Sequence, residues 1–581
     1  MSQKDYDSID VLRIPIQPLD HPRSGYPGFH PHTELLPEGY QFQPDRRPLP
    51  CPVLCHQDVA IPMRDGILLY ADIYRPVEEE KVPAILCWGA WGKRGKGLVF
   101  PDMDHMPNYT PNTARAEEDP RHPRTAMYRR SELSGLQAWG GEDPADWVPH
   151  GYAIVNVDPR GVYFSQGEMH YFDTQNGRDA YDVIEWLAVQ DWCNGRIGTS
   201  GNHWYGIEQW FIAQKQPPHL CAIHPAEAHG DFYRDEMVRG GIPRLDWGSR
   251  TMTYGKTTIE DVVGMSLVHP LDDAYWKEKE IRFEQITCPV FLTCSYTQWN
   301  HSRGPFDGFN RLGTEQKWMR IHNGMEFIDF RLPETIAEVR KFFDHFLKGA
   351  DNGWEETPRV QLSVLDPGGW DIVGRPEESF PLARQQIKKF YLDIPTGALT
   401  EAKPAAESTV SYVSDDHAGR AAFRYRFQEE AEITGFSKIH LCMSTDKAID
   451  MDVFVRINKL DAQGNRLLAN YTNVYSGPNG RLRASLRRVD PEKSGPLTPY
   501  HPYDRRDYFK PFEVVELDIG IWPTGLRFHP GEQLEVEISG FEIMTAHMGD
   551  MKLETVNRGE HTIHSGGAWE CYLLLPFIPQ E

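Results

Sequence analysis

Apolar and polar positions change rhythm twice along this chain, and those changes divide it. Residues 1–55 are rich in proline and histidine and show little periodicity, which predicts an extension lying over the following domain. From about residue 56, apolar runs of strand length appear: residues 67–74, 82–87 and 152–157. Residues 177–190 carry Tyr181, Ile184 and Leu187 at helical spacing, and strands at 196–199 and 221–224 follow. Strand, helix, strand, helix in this order predicts a parallel sheet covered on both faces. Residues 228–285 lose the rhythm and read as a helical cap inserted over the sheet. The core resumes at 286–352, with strands at 289–293 and 316–321 and a helix over 333–347 that buries Ile336, Val339, Phe342 and Phe346. From 353 to 581 the texture is one of short alternating runs broken by Gly, Pro and Asp, such as 359–365, 452–457 and 533–538. Strands at that spacing predict a β-sandwich, a jelly roll. The expected fold class is therefore α/β, with core segments at 56–227 and 286–352 and a separate C-terminal sandwich.

Composition narrows the partners. The 581 residues are 40% hydrophobic and 12% aromatic, enough for large cores, and the net charge of −23 disfavours nucleic acid and anionic membrane. A run of 18 apolar residues is absent, and residues 1–20 are polar and acidic, so neither a membrane span nor a signal peptide is expected and the cytoplasm is the default. Nine scattered cysteines, an odd number, read as free thiols. Cys51 and Cys55 have half the spacing of a metal site with no second half. Neither a metal nor an organic cofactor is expected: Gly92–Gly97 lacks the order of a phosphate loop and reads as a mobile loop near the pocket. A small-molecule substrate is expected, and self-association through the sandwich stays open.

One segment carries the chemistry. Arg196-Ile-Gly-Thr-Ser200-Gly201-Asn-His203-Trp204-Tyr205-Gly206 reads as strand, glycine-flanked sharp turn, then aromatic helix. That is the nucleophile elbow of an α/β-hydrolase, which exposes one side chain at the top of the sheet. A serine there would give acyl transfer; His203 is a base, an acid or a poor nucleophile. A shift of register would put Ser200 there instead, but Asn202 then replaces the second glycine of the motif.

Met63-Arg-Asp-Gly66, Asp158-Pro-Arg-Gly161 with Ser165-Gln-Gly167, the elbow, and Asn557-Arg-Gly-Glu-His561-Thr-Ile-His564-Ser-Gly-Gly567 occur in order over residues 55–581. Together they resemble the CocE/NonD hydrolases, the family of the X-Pro dipeptidyl peptidases and cocaine esterase. The resemblance implies an α/β-hydrolase core, a helical cap and a C-terminal jelly roll. It places the family's nucleophile serine on His203, its oxyanion tyrosine on Trp91, its triad acid near Gln298 and its triad histidine on Glu326. In one branch of the family a serine is kept in Gly-Asn-Ser-Trp, with histidine at the place of His301 and glutamate at that of Glu326. His203 is then the departure particular to this chain, and it puts serine-type hydrolysis in doubt.

The residues suggest a site accordingly. His203, with Glu326 orienting the ring and favouring the imidazolium, makes an acid/base pair. Glu326, between Met325 and Phe327, is a candidate general acid through desolvation, or else a structural carboxylate paired with Arg303 or Arg320. Trp91 and the backbone N–H of Trp204 are candidate oxyanion donors. Gln298, His301 and His322 lie on loops after strands and are candidate substrate contacts, while Trp88, Trp204, Tyr205 and Tyr296 would give the pocket aromatic walls. His224, Glu227 and His229 share no helix face that would align them on a metal. Asp446, Asp450, Asp452, His561 and His564 read as structural groups of the sandwich. The chemistry expected first is proton transfer on a small apolar carbonyl compound by an isomerase, cyclase or lyase. Hydrolysis by histidine-activated water and a non-catalytic metabolite binder are the alternatives.

Overall fold

The structure is a computed structural model that describes residues 9–78, 80–94, 130–247, 252–298, 301–468, 477–542 and 552–579. Part of the loop at Gly92–Gly97 therefore lies outside the described residues.

Eleven strands form the first sheet: β1 (His32–Leu36), β2 (Val53–Pro62), β3 (Leu68–Arg75), β4 (Val82–Trp88), β5 (Ala153–Asp158), β6 (Cys193–Asn202), β7 (Leu220–Ala226), β8 (Val290–Ser295), β9 (Lys317–His322), β10 (Val360–Val364) and β11 (Ile372–Glu377). Their order across the sheet is β11-β10-β9-β8-β7-β6-β4-β5-β3-β2-β1. From β5 to β10 all neighbours run parallel, and β1, β2, β3 and β11 add antiparallel edges. Every residue of β5 and β8 is buried, as parallel strands covered on both faces must be.

The sheet reaches past both expected boundaries. β1 comes from the segment read as an extension, and β10 and β11 come from beyond residue 352. β1 was hard to see because it is an edge strand with mostly exposed residues, so its sequence carries little alternation. Helices α1 (Thr174–Ala188), α2 (Trp204–Ala213) and α6 (Pro333–Lys348) cover the faces. α1 is capped by Asp173, whose carboxylate accepts the Asn176 N–H. It crosses α2 at Gly177, where a Cβ would stand 2.2 Å from the Phe211 carbonyl oxygen. α6 ends at Gly349 with φ 69°, a left-handed cap.

The cap is not wholly helical. It contains a π-helical turn at Phe232–Met237 and α3 (Val262–Val268), but also short strands at Tyr254–Gly255 and Thr258–Glu260. These pair with Gln17–Pro18 and Arg13–Pro15, so the N-terminal segment straps the cap by β-pairing. Short strands of two or three residues have no periodicity for a sequence reading to detect.

Among the described residues the C-terminal region holds an eleven-stranded sheet built on the long antiparallel pair Ala431–Thr445 and Val515–Phe528. It is joined to the first sheet through backbone bonds: the Leu365 N–H donates to the Gly525 carbonyl at 2.9 Å and the Arg527 N–H to the Leu365 carbonyl at 2.9 Å. All nine cysteines are free thiols. Among the described residues no helix is long and apolar enough to cross a membrane.

Candidate active site

The C-terminal ends of the parallel strands gather the chemistry, as open α/β sheets do. Trp91 follows β4, His203 follows β6, Glu227 follows β7, His301 lies between β8 and helix α4 (Gly304–Arg311), and Glu326 follows β9. His203 has φ 59° and ψ −120°, a strained turn joining β6 to α2. The flanking glycines are required by close approach. A Cβ on Gly201 would meet Tyr205 Cβ at 2.3 Å, and one on Gly206 would meet the Ala226 carbonyl oxygen at 2.3 Å. The His203 N–H is fixed by the Ala226 carbonyl at 3.0 Å.

Around the His203 imidazole the rings close in. Its centroid lies 4.4 Å from that of His301, 5.2 Å from Trp91 and 6.1 Å from Phe327, and Trp139 stands edge-on at 6.5 Å. His301 in turn stacks on His229 at 5.8 Å. A donor atom of each of His203, His301 and Glu326 lies within 4.8 Å of the other two. The polar atoms here are largely unspent. Both ring nitrogens of His301 and of His229, His203 Nδ1, Glu326 Oε2 and Trp91 Nε1 are buried without a hydrogen-bond partner. Native interiors rarely leave so many polar groups unpaired, which marks the spot as built for something besides stability.

Burial sets the protonation states. It pushes the His203 and His229 imidazoles down to about 3, and holds His301 well below the ordinary histidine range with help from its two neighbouring imidazoles. The Glu326 carboxyl is raised well above the carboxylate range by burial and by Glu227, against a hydrogen bond from Gln298. Burial thus works against charge on both partners of the imidazolium–carboxylate pair expected between His203 and Glu326, and favours the neutral forms.

The alternative reading of Glu326 as a salt-bridged carboxylate does not hold. Arg303 pairs with Asp235, and Arg320 pairs with Asp329 and Glu338. Glu326 instead accepts from Gln298 Nε2, which joins that residue to the cluster. Trp204 opens α2, so its backbone N–H has no acceptor within the helix. Its indole donates to Glu208 at 3.1 Å and is committed inward.

Other expected contacts lie elsewhere. Tyr205 is 1% exposed, wedged against Gly89, Gly140 and Gly201, and its hydroxyl donates to the Gly92 carbonyl at 3.0 Å. It holds the elbow and is not a pocket wall. Tyr296 stacks on Phe306 and faces Gly525 of the sandwich. His322 is paired through Nε2 with Glu227 at 3.0 Å, so it braces the carboxylate after β7. Trp139 and Phe327, which stand at the His203 ring, were missed. Trp139 lies in irregular chain between β4 and β5, and Phe327 in a four-residue helix, α5 (Glu326–Asp329), and neither segment is long enough to show a period.

Ser200 is fully buried and lies between two partners: its Oγ donates to Glu142 Oε1 at 2.5 Å and meets His224 Nδ1 at 2.9 Å. In a serine nucleophile set the histidine stands between serine and acid. Here the serine is in the middle, with no access to substrate, and His224 Nε2 is taken by Thr293 at 3.2 Å.

The comparisons agree with this architecture. Residues 65–261 match the X-Pro dipeptidyl-peptidase (S15 family) model, and residues 352–574 match that of the X-Pro dipeptidyl-peptidase C-terminal non-catalytic domain. Cocaine esterase of Rhodococcus sp. is 30% identical over 90% of this chain and 98% of its own. A putative serine esterase of Mycobacterium tuberculosis is 22% identical over 68% of this chain and 79% of its own. The crystal structure of a CocE/NonD family hydrolase from Staphylococcus aureus superposes with a TM-score of 0.82 at 30% identity, covering 91% of this chain and 94% of that one. The chain belongs to the CocE/NonD and X-Pro dipeptidyl-peptidase family, with an α/β-hydrolase core and a C-terminal β-sandwich.

Proposed function

We propose that the protein hydrolyses an ester or amide of a small, largely apolar molecule, and that water attacks the carbonyl in place of a serine. The observation that carries this is the His203 ring at the elbow, in contact with His301 and joined by Glu326, with buried nitrogens left unbonded. A neutral imidazole within reach of a carbonyl carbon takes a proton from an attacking water, and a neutral carboxylic acid at Glu326 gives one to the leaving group. The Trp91 indole N–H and the Trp204 backbone N–H are the donors proposed for the developing oxyanion. Trp91, Trp139 and Phe327 supply an apolar wall suited to an aromatic or alicyclic substrate.

Family membership supports hydrolysis over the isomerase, cyclase or lyase chemistry that the missing serine first suggested, since relatives carry the names of esterases and peptidases. The experiment is turnover of a panel of small aryl esters and amides in H2(18)O. Hydrolysis puts one heavy oxygen into the acid product, and His203→Ala lowers the rate by roughly 10²–10⁴-fold. Products isomeric with the substrate, or an elimination product without heavy oxygen, would overturn the proposal.

A further inference from the structure

Three side chains of metal-ligand type meet on the floor of the site from three separate elements. His203 comes from the turn before α2, His301 from the chain after β8, and Glu326 opens α5. One donor atom from each lies within 4.8 Å of the others. His301 is 1% and Glu326 3% exposed, yet both His301 ring nitrogens, His203 Nδ1 and Glu326 Oε2 lack a partner. Leaving a buried polar group unpaired costs roughly 1–3 kcal/mol, so three residues that each bring a ligand atom within reach of the other two, and that each carry an unpaired buried atom, call for a ligand that satisfies them together.

We infer that His203, His301 and Glu326 bind a divalent transition-metal ion, of the zinc or cobalt kind, with a coordination position left open for water. Two imidazoles and one carboxylate are a ligand set of catalytic zinc sites, in which a fourth position holds water or substrate. Donors at about 2.0–2.2 Å from such an ion stand roughly 3.4 Å apart in a tetrahedron. Closing from the present spacing is then a matter of about an ångström of side-chain rotation. The outer partners suit the purpose: Gln298 Nε2 donates to Glu326 Oε1 and leaves Oε2 for the ion. The contrast with Asp366, His529 and Glu532 is instructive. There Lys459 Nζ already sits 2.6 Å from Asp366 and 2.9 Å from Glu532, so a cation is built in. At His203 none of the described side chains plays that part.

The inference rests on the reading that water is the attacking group, and it names what holds that water. Bound to the ion, the water loses a proton more readily. Its oxygen then bonds to the carbonyl carbon, the bond to the leaving group breaks, and the proton departs with that group. His203 and Glu326 are in that case ligands: the ion takes over activation of the water, and the water's own proton, not one from Glu326, goes to the leaving group.

The test is cobalt binding by the full chain after treatment with a chelator, read by the visible absorption of the ion and by calorimetry. One saturable site is expected, displaced by zinc. Glu326→Gln and His301→Ala should each weaken it by at least about 100-fold, beyond the loss typical of outer-shell partners, in proteins whose circular dichroism is unchanged. Absence of one-to-one binding, or binding indifferent to both substitutions, overturns the site. Cobalt bound without any ester or amide turnover keeps the metal site and sinks the hydrolase reading. Turnover that depends on His203 but survives chelation, with no cobalt bound, does the reverse.

Discussion

The imidazoles of His203 and His301 stand 4.4 Å apart, centroid to centroid, with their planes crossing at 77°. His203 stands in the turn directly after β6 and His301 on the loop after β8, so the sheet brings the two segments to one end and the loop carries His301 to the ring. The two rings meet edge to face, and a ligand atom of each lies within 4.8 Å of the other and of one on Glu326.

The backbone at His203 predicts a reversal of the usual glycine penalty. With φ 59° and ψ −120° any side chain is strained, by about 1–3 kcal/mol. His203→Gly should therefore be more stable than His203→Ala by about 1 kcal/mol in urea unfolding, and both should lack turnover. Equal stability, or an advantage for alanine, would show that the turn relaxes.

Trp91 offers a separable role. Its Nε1 is buried and without a partner, while its ring contacts Trp139 at 4.2 Å and Trp204 at 5.6 Å. Trp91→Phe keeps most of the ring surface and removes the donor. It should lower kcat by about 10²-fold with KM nearly unchanged, the pattern of a group that acts in the transition state. A rise in KM with kcat intact would make Trp91 a wall only.

Glu142 makes a prediction about pH. Burial raises its carboxyl from 4.5 to about 7, although Ser200 and Trp147 donate to it and Arg331 lies near. The folded protein thus holds this proton more tightly than the unfolded chain. The contribution favours folding below about pH 4.5 and is lost as pH rises to 7. Glu142→Gln removes the titration with little change of shape. Relative to the unaltered protein, the variant should gain on the order of 2–3 kcal/mol between pH 4.5 and pH 8 in urea unfolding. A difference that does not change with pH would mean that the carboxyl titrates normally.

Much of the frame was legible in the sequence because it depends on strong local signals. The elbow needs Gly201 and Gly206 for contact, and the covered strands need continuous apolar runs such as Ala84–Trp88, so both leave marks in the chain. The site was only half legible. His203 was named from the elbow, Glu326 and Gln298 from the family resemblance and His301 from its loop after a strand, and the fold brings them together. Their gathering into one set of ligand atoms was not foreseen, because it depends on loop paths that have no period. Tyr205 and His322 were expected in the pocket on the same grounds of position. Their partners, the Gly92 carbonyl and Glu227, come from distant segments that no local pattern links to them.

A histidine, and no serine, stands at the elbow. Intact-mass measurement after incubation with a reactive fluorophosphonate tests it most directly, in protein that is turning over an ester. The mass should stay unchanged and the activity intact, because Ser200 is sealed between Glu142 and His224 and the elbow carries no alcohol. A stoichiometric adduct on a serine, with loss of activity, would contradict it.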